Sequence, residues 1–173
     1  MPKIHNAPAA SGRDNWTTPP DLFARLNGEF GFKLDAAADT ENALCDGFMD
    51  AKVRDAFETA WEPGPIFCNP PYGRIETPRW LQRGYDEFLR TRLTTVFLVP
   101  AATETRWFHN LVAPYAKEVR FIKGRLKFGN VLCKDGTIGE QFATFPSMIV
   151  VFGLRKVPQL WGGARMRAWD WRK

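Results

Sequence analysis

Four consecutive residues carry the clearest chemistry in this chain: Asn69, Pro70, Pro71 and Tyr72, directly behind the apolar run Ile66-Phe67-Cys68. Proline fixes its own φ and has no N–H to donate, so Pro70 and Pro71 end any sheet ladder. A residue before proline is held extended, which fixes Asn69 too. The result is a stiff loop that turns one carboxamide and several carbonyl oxygens outward, and Gly73 lets the chain bend away. An exocyclic amine on a nucleobase suits such an array. Its lone pair is delocalised into the ring, and to attack a methyl group the nitrogen must move towards tetrahedral geometry. The Asn69 side-chain oxygen and the Pro70 carbonyl would accept its two N–H groups and favour that geometry. They would also stabilise the positive charge developing on nitrogen, and positioning supplies much of the rest. Tyr72 would stack on the base, a contact worth about 1–3 kcal/mol. Reaching such an amine inside a duplex requires extruding the base.

The elements around this loop are those of an α/β sheet. "NWTTPPDLFARLNGEFGF" opens with a turn and then places Leu22, Phe23, Leu26 and Phe30 at helical spacing, with Asp21 in the first turn. "FKLDAAA" predicts a short strand ending at Asp35, and "GPIFCNPPY" a strand with its loop. Between them, residues 42–57 predict short helical pieces and loops. "TPRWLQRGYDEFLRTR" is an amphipathic helix with Trp80, Leu81, Tyr85, Phe88 and Leu89 on one side. "TTVFLVPAA" has the continuous apolar character of a strand buried on both faces. "TETRWFHNLVAPYA" predicts a helix, and "KEVRFIKGRLKFG" and "PSMIVVFGL" predict strands joined by a polar loop. Alternating strands and helices followed by strands in close succession point to a sheet with an antiparallel edge. Ligands in such sheets bind beyond the carboxyl ends of the strands. Asp35, Asn69 and the pair Pro100-Ala101 should therefore converge on one site.

Composition narrows the setting. A chain of 173 residues, 45% hydrophobic, fits one globular domain. Its longest apolar runs, Val96 to Val99 and Met148 to Phe152, are too short to span a bilayer. The opening "MPKIHNAPAASGRD" lacks the apolar stretch of a secretory signal. Cys45, Cys68 and Cys133 are odd in number and lack CxxC spacing, and only His5 and His109 are histidines. These features predict no disulfide frame, no metal site and a cytoplasmic location. The net charge of +5 is uneven. Residues 117–173 hold 12 Lys/Arg against 4 Asp/Glu, so the first 116 residues are slightly acidic. A basic C-terminal third predicts an anionic partner held along one face.

Several pieces in order now resemble a known family: "NWTTPPDLF", "LDAAAD" with "NA" soon after, "RDAFETAW", "IFCNPPYG", "VFLVPA", "RWF" and "IKGRLKFG". Over roughly residues 14–153 the chain resembles the phage-type DNA N-6-adenine methyltransferase (Dam) family. That resemblance implies a Rossmann-like S-adenosylmethionine-dependent methyltransferase sheet, compact and abbreviated, with an antiparallel edge hairpin. It implies transfer of a methyl group from S-adenosylmethionine to the N6 of adenine in DNA. It makes Asn69, Pro70, Pro71 and Tyr72 the catalytic motif. It implies that Trp16, Thr17, Thr18 and Pro19 hold the methionine end of the cofactor, that Asp35 sits near the cofactor's amino group, and that Asp55 and Phe57 border its adenine. The expected organisation is a tail over residues 1–13, a methyltransferase domain over 14–154 and a basic tail over 155–173, rich in Trp and Arg. Arg125, Lys127, Arg165 and Arg167 are the expected DNA contacts. "DAAAD" stands where the wider superfamily has a GxG turn, and only 34 positions separate Asp35 from Asn69, so the sheet must be shortened there. The same amine-binding loop would also serve RNA or a protein glutamine. A non-catalytic nucleic-acid-binding module that kept the fold is the reading from a different class.

Overall fold

In the computed structural model, residues 16–50, 55–132, 137–154 and 163–173 are described. The N-terminal tail and residues 155–162 lie outside them. Helix α1 (Pro20–Phe30) begins with proline and has Asp21 in its first turn, and it ends at Gly31, whose φ of 64° is the left-handed conformation that glycine adopts freely. Helix α2 (Glu76–Thr91) follows the Asn-Pro-Pro-Tyr loop. A wide π-helical stretch, Phe108–Val112, leads into the short α3 (Ala113–Tyr115).

The strands are β1 (Leu34–Asp35), β2 (Gly47–Phe48), β3 (Ile66–Cys68), β4 (Thr95–Pro100), β5 (Glu118–Ile122), β6 (Lys127–Leu132), β7 (Ile138–Phe142), β8 (Ser147–Phe152) and β9 (Arg165–Trp169). Seven of them form one sheet in the order β2-β1-β3-β4-β8-β5-β9. All run parallel except β8, which is antiparallel to both β4 and β5. The antiparallel strand is thus inserted within the sheet, and the β6–β7 hairpin forms a second, two-stranded sheet. This is the mixed α/β, Rossmann-like architecture that the sequence predicts.

Alternation along the strands sorts the core into two layers. Ile66, Cys68, Phe97, Val99, Val150 and Phe152 face α2 and the 108–115 helical segment. Phe67, Val96, Leu98, Ile149 and Val151 face α1 and the root of the hairpin at Leu126 and Phe128. Trp61, fully buried, fills the first layer and donates its indole N–H to the Ala56 carbonyl.

Three strands escape the sequence reading. β2 is two residues long and offers no period to detect. β7 reads as a polar loop because Ile138, Glu140 and Phe142 are all exposed. β9 lies inside the segment set apart as a tail, yet it pairs in parallel with β5 over its full length. Trp169 is buried, and the Arg120 guanidinium lies between its ring and that of Phe30. Arg120, almost wholly buried in β5, is neutralised by Glu29 of α1 and by Glu118. The long basic run "KEVRFIKGRLKFG" is split into β5 and β6 at Gly124, whose φ of 80° turns the chain out of the sheet.

Candidate active site

β1, β3 and β4 are adjacent and parallel, so Asp35, Asn69 and Pro100 stand together at one edge of the sheet, as predicted. The first turn of α2 closes the loop from behind: Thr77, buried, accepts the Gly73 N–H at 3.1 Å. Pro70 is buried and Asn69 half-buried.

Asn69 is held from three sides. Its carboxamide nitrogen donates to the Trp16 carbonyl at 2.8 Å and to Thr18 Oγ1 at 3.0 Å. The Tyr72 hydroxyl donates to Asn69 Oδ1 at 2.6 Å and also lies 3.3 Å from the Leu98 carbonyl. An amide oxygen has two lone pairs, so this contact leaves one acceptor position on Oδ1. Burial pushes the Tyr72 phenol well above its ordinary pKa, so it remains a donor at neutral pH. The Tyr72 ring lies edge-on to Trp16, Phe128 and Phe145, at centroid separations of 5.6–6.2 Å. Trp16 in turn stacks on Phe145 at 5.2 Å. Beside the one carboxamide there is therefore a box of four aromatic rings. Phe128 and Phe145 went unnoticed in the sequence; the signal for Phe145 was its place before Pro146 at the entry to β8.

The Trp16–Thr18 segment is the keystone of this arrangement. Thr17 exchanges both backbone hydrogen bonds with Gly129 of β6, at 3.1 and 3.2 Å. The segment is thereby clamped between the hairpin and Asn69. A Cβ on Gly129 would sit 2.5 Å from Thr17 Oγ1, closer than any tolerated contact. Gly129→Ala is therefore expected to displace the clamp and lower turnover by up to about 100-fold, since a shift of an ångström at a positioned group costs that much. Steady-state kinetics beside a thermal melt would check it; unchanged turnover in a folded variant would show that the clamp does not position Asn69.

Asp35 is almost wholly buried at the end of β1. Among the described residues its carboxylate receives two long backbone N–H contacts, from Leu44 at 3.3 Å and Ala37 at 3.5 Å. Desolvation dominates these, and its pKa is pushed up to about 6. It makes no ion pair among the described residues. Three alanines follow it, Ala36 and Ala38 buried and Ala37 half-buried.

The other predicted positions fall in different surroundings. Pro19 is the residue before α1. Asp55 is exposed and caps its own turn: Oδ1 accepts the Phe57 N–H at 2.8 Å. Phe57 packs against Trp80 and carries the Arg79 guanidinium on its face at 3.7 Å. Among the expected DNA contacts, Lys127 pairs with Glu140 across the hairpin and Arg167 pairs with Glu118. Arg165 registers with Glu118 at the start of β5, the opposite edge of the sheet from Asn69. Arg125 is exposed in the turn after β5, at the same edge as Asn69. It is joined there by Arg172, which lies against Gly124. No helix among the described residues is long and apolar enough to cross a membrane.

A DNA N-6-adenine-methyltransferase of Escherichia phage T1 is 31% identical over 98 residues, which are 56% of this chain and 40% of that protein. The matched stretch is thus less than half of the phage protein's length. Residues 6–160, nearly the whole chain, match the family model described as DNA N-6-adenine-methyltransferase (Dam). With that span matched, the chain belongs to the DNA N-6-adenine-methyltransferase (Dam) family.

Proposed function

We propose that this protein transfers a methyl group from S-adenosylmethionine to the N6 amino group of an adenine in DNA, with the base extruded against the Asn69–Tyr72 loop. The observation that carries the reading is the fixed Asn69 carboxamide. Held by Trp16 and Thr18 on its nitrogen, it keeps an acceptor lone pair on Oδ1 at the carboxyl edge of the sheet. That oxygen and the Pro70 carbonyl would bind the two N–H groups of the amine and hold its lone pair out of conjugation. As nitrogen gains positive charge, both fixed dipoles stabilise it without having to reorient. The half-buried rings of Trp16, Tyr72 and Phe145, backed by the fully buried Phe128, would supply π-faces for the flat base. Arg125 and Arg172 at the same edge would meet phosphates.

The cofactor fits the residues present. Asp35 is a buried carboxylate with no ion-pair partner among the described residues, and the α-ammonium of an amino acid moiety would supply one. S-adenosylmethionine supplies, when bound, a methyl group on a sulfonium. Asp35 would hold the ammonium end, and Trp16 to Pro19 would close over it while keeping Asn69 in place. Asp55 and Phe57 would border the adenine of the cofactor.

A pH dependence follows from Asp35. Its folded pKa is raised above the ordinary 3.8 to about 6, so ionisation opposes folding. The apo protein should lose stability as pH rises from about 4 to above 6, by on the order of 3 kcal/mol. Cofactor binding needs the charged form and should weaken as pH falls below about 6, approaching tenfold per unit. Titration calorimetry at several pH values checks this, and Asp35→Asn should flatten both profiles. A binding constant that does not change between pH 5 and 7 would exclude Asp35 from the ammonium site.

Substrate class is tested by offering labelled S-adenosylmethionine with unmethylated duplex DNA, RNA and a glutamine-containing peptide in parallel. Label is expected in the DNA. Label confined to RNA or peptide would replace the substrate while keeping the loop chemistry, and no cofactor binding would leave a binding module.

A further inference from the structure

A groove of about 750 Å³ opens between the start of α2 and the segment that follows β4, lined by Arg74, Gln82, Arg106, Trp107 and Asn110 among others. No carboxylate is among the described residues that line it. It lies at the same edge of the sheet as Asn69, because both β3 and β4 deliver their chains there. Arg74 is only two residues beyond Tyr72.

The groove differs from the rest of the surface in its uncommitted charge. Further along α2, Arg83 and Arg90 are both paired with the buried Glu87, and Arg79 lies on the Phe57 ring. Arg74 and Arg106 are exposed and make no ion pair among the described residues. Two guanidiniums facing one open channel repel each other unless an anion lies between them. Each offers a planar fork of donors that matches phosphate oxygens. The carboxamides of Gln82 and Asn110 add neutral donors of the kind that bind phosphate and sugar oxygens. The half-buried Trp107 adds an indole face for a base. Alternating anionic and flat aromatic groups along one strand is the chemistry of a polynucleotide.

We infer that this groove holds the sugar-phosphate backbone of the DNA strand that carries the target adenine, on the side of the loop away from the aromatic box, with Arg74 and Arg106 on successive phosphates. The inference rests on the methyltransferase reading and extends it. Extruding a nucleotide leaves its flanking phosphates displaced, and a cationic groove beside the catalytic loop grips them where the strand must bend. The sequence reading quoted Arg106 and Trp107 only within the piece "RWF" and gave no groove residue a DNA contact, since Arg74 and Arg106 sit 32 positions apart in an unremarkable charge pattern.

The test uses the full chain and an end-labelled, unmethylated duplex with adenines in varied contexts. Three proteins are compared: the wild type, Arg74→Ala/Arg106→Ala, and the charge-matched control Arg25→Gln/Arg92→Gly. Arg25 lies on α1, on the opposite face of the sheet, and Arg92 takes a left-handed conformation at the far end of α2 that glycine also adopts. Binding is measured against salt. The groove variant should lower the slope of log K against log salt by about 2, roughly one per lost phosphate contact. It should also raise KM for DNA about tenfold, leaving kcat and cofactor affinity at wild-type values. A salt slope and KM no different from those of the control, with the wild type methylating the duplex, would overturn the groove assignment alone. A wild type that binds cofactor but never methylates DNA would overturn the underlying reading, and the groove assignment with it.

Discussion

Asn69→Ala is expected to lower kcat for methyl transfer by at least about 10²–10³-fold, the scale on which a single preorganised group aimed at developing charge contributes. Two separate losses combine. The amine loses an acceptor, so its lone pair stays in conjugation with the ring. The Trp16 carbonyl and Thr18 Oγ1 lose the donor that ties them to the Asn69–Tyr72 loop. Asn69→Asp separates the two effects. A carboxylate still accepts from the amine, but it cannot donate to the Trp16 carbonyl, and it places a negative charge beside that oxygen. Its kcat is expected between those of the wild type and the alanine variant. Equal turnover in all three proteins would mean that the transferred methyl never passes this loop. The cofactor dissociation constant, measured in parallel, shows whether the loss lies in chemistry or in the Trp16–Thr18 clamp.

The largest stability effect is expected at Glu87, far from the transferred methyl. Its side chain is almost wholly buried on α2. Its carboxylate pairs with Arg83 and Arg90, each at 2.7 Å, and accepts the Trp61 backbone N–H at 3.2 Å. Glu87→Ala leaves a buried N–H without an acceptor, Arg83 without its carboxylate, and Arg90 with only the exposed Glu62. An orphaned buried donor costs about 1–3 kcal/mol, and the partly exposed arginines add less because solvent reaches them, so a loss of roughly 3 kcal/mol is expected, or roughly 10 °C in Tm for a domain of this size. Arg83 also donates to the Ala56 and Thr59 carbonyls and so holds the 55–61 turn, the proposed border of the cofactor, against α2. Weaker cofactor binding should accompany the lower melting temperature. Glu87→Gln keeps one acceptor for Trp61 and should lose less than half as much. A Tm within 2–3 °C of wild type for Glu87→Ala, where the network figure calls for roughly 10 °C, would show that the arginines find solvent at no cost.

Much of this was legible in the sequence because the site is built from consecutive residues at strand ends. Asn69 to Tyr72 follow an apolar triplet, and parallel neighbours bring Asp35 and Pro100 beside them without further instruction. α1 and α2 announce themselves by apolar spacing. What the sequence hides is pairing over long separations. Nothing local ties Trp16 to Asn69, 53 positions away, or Thr17 to Gly129. Tyr72 could be read as a stacking ring, but its hydroxyl on Asn69 Oδ1 depends on the loop closing on itself. The Arg-x-Arg-x-Trp alternation of β9 has the strand period, yet its charges read as a nucleic-acid tail. The partner that makes it a strand is β5, with Glu118 answering Arg167 and Arg120 answering Trp169. Asp35 was legible as a strand end, and its burial was not.

The central claim is that Asn69 and its loop present an adenine amine to a methyl donor. It is tested most directly by digesting duplex DNA to nucleosides after incubation with S-adenosylmethionine and the wild-type protein, and identifying the product by mass spectrometry. The account predicts N6-methyladenine, absent when Asn69→Ala replaces the wild type. A methyl group on cytosine N4, on a ring nitrogen, or on nothing in the DNA at all would contradict it.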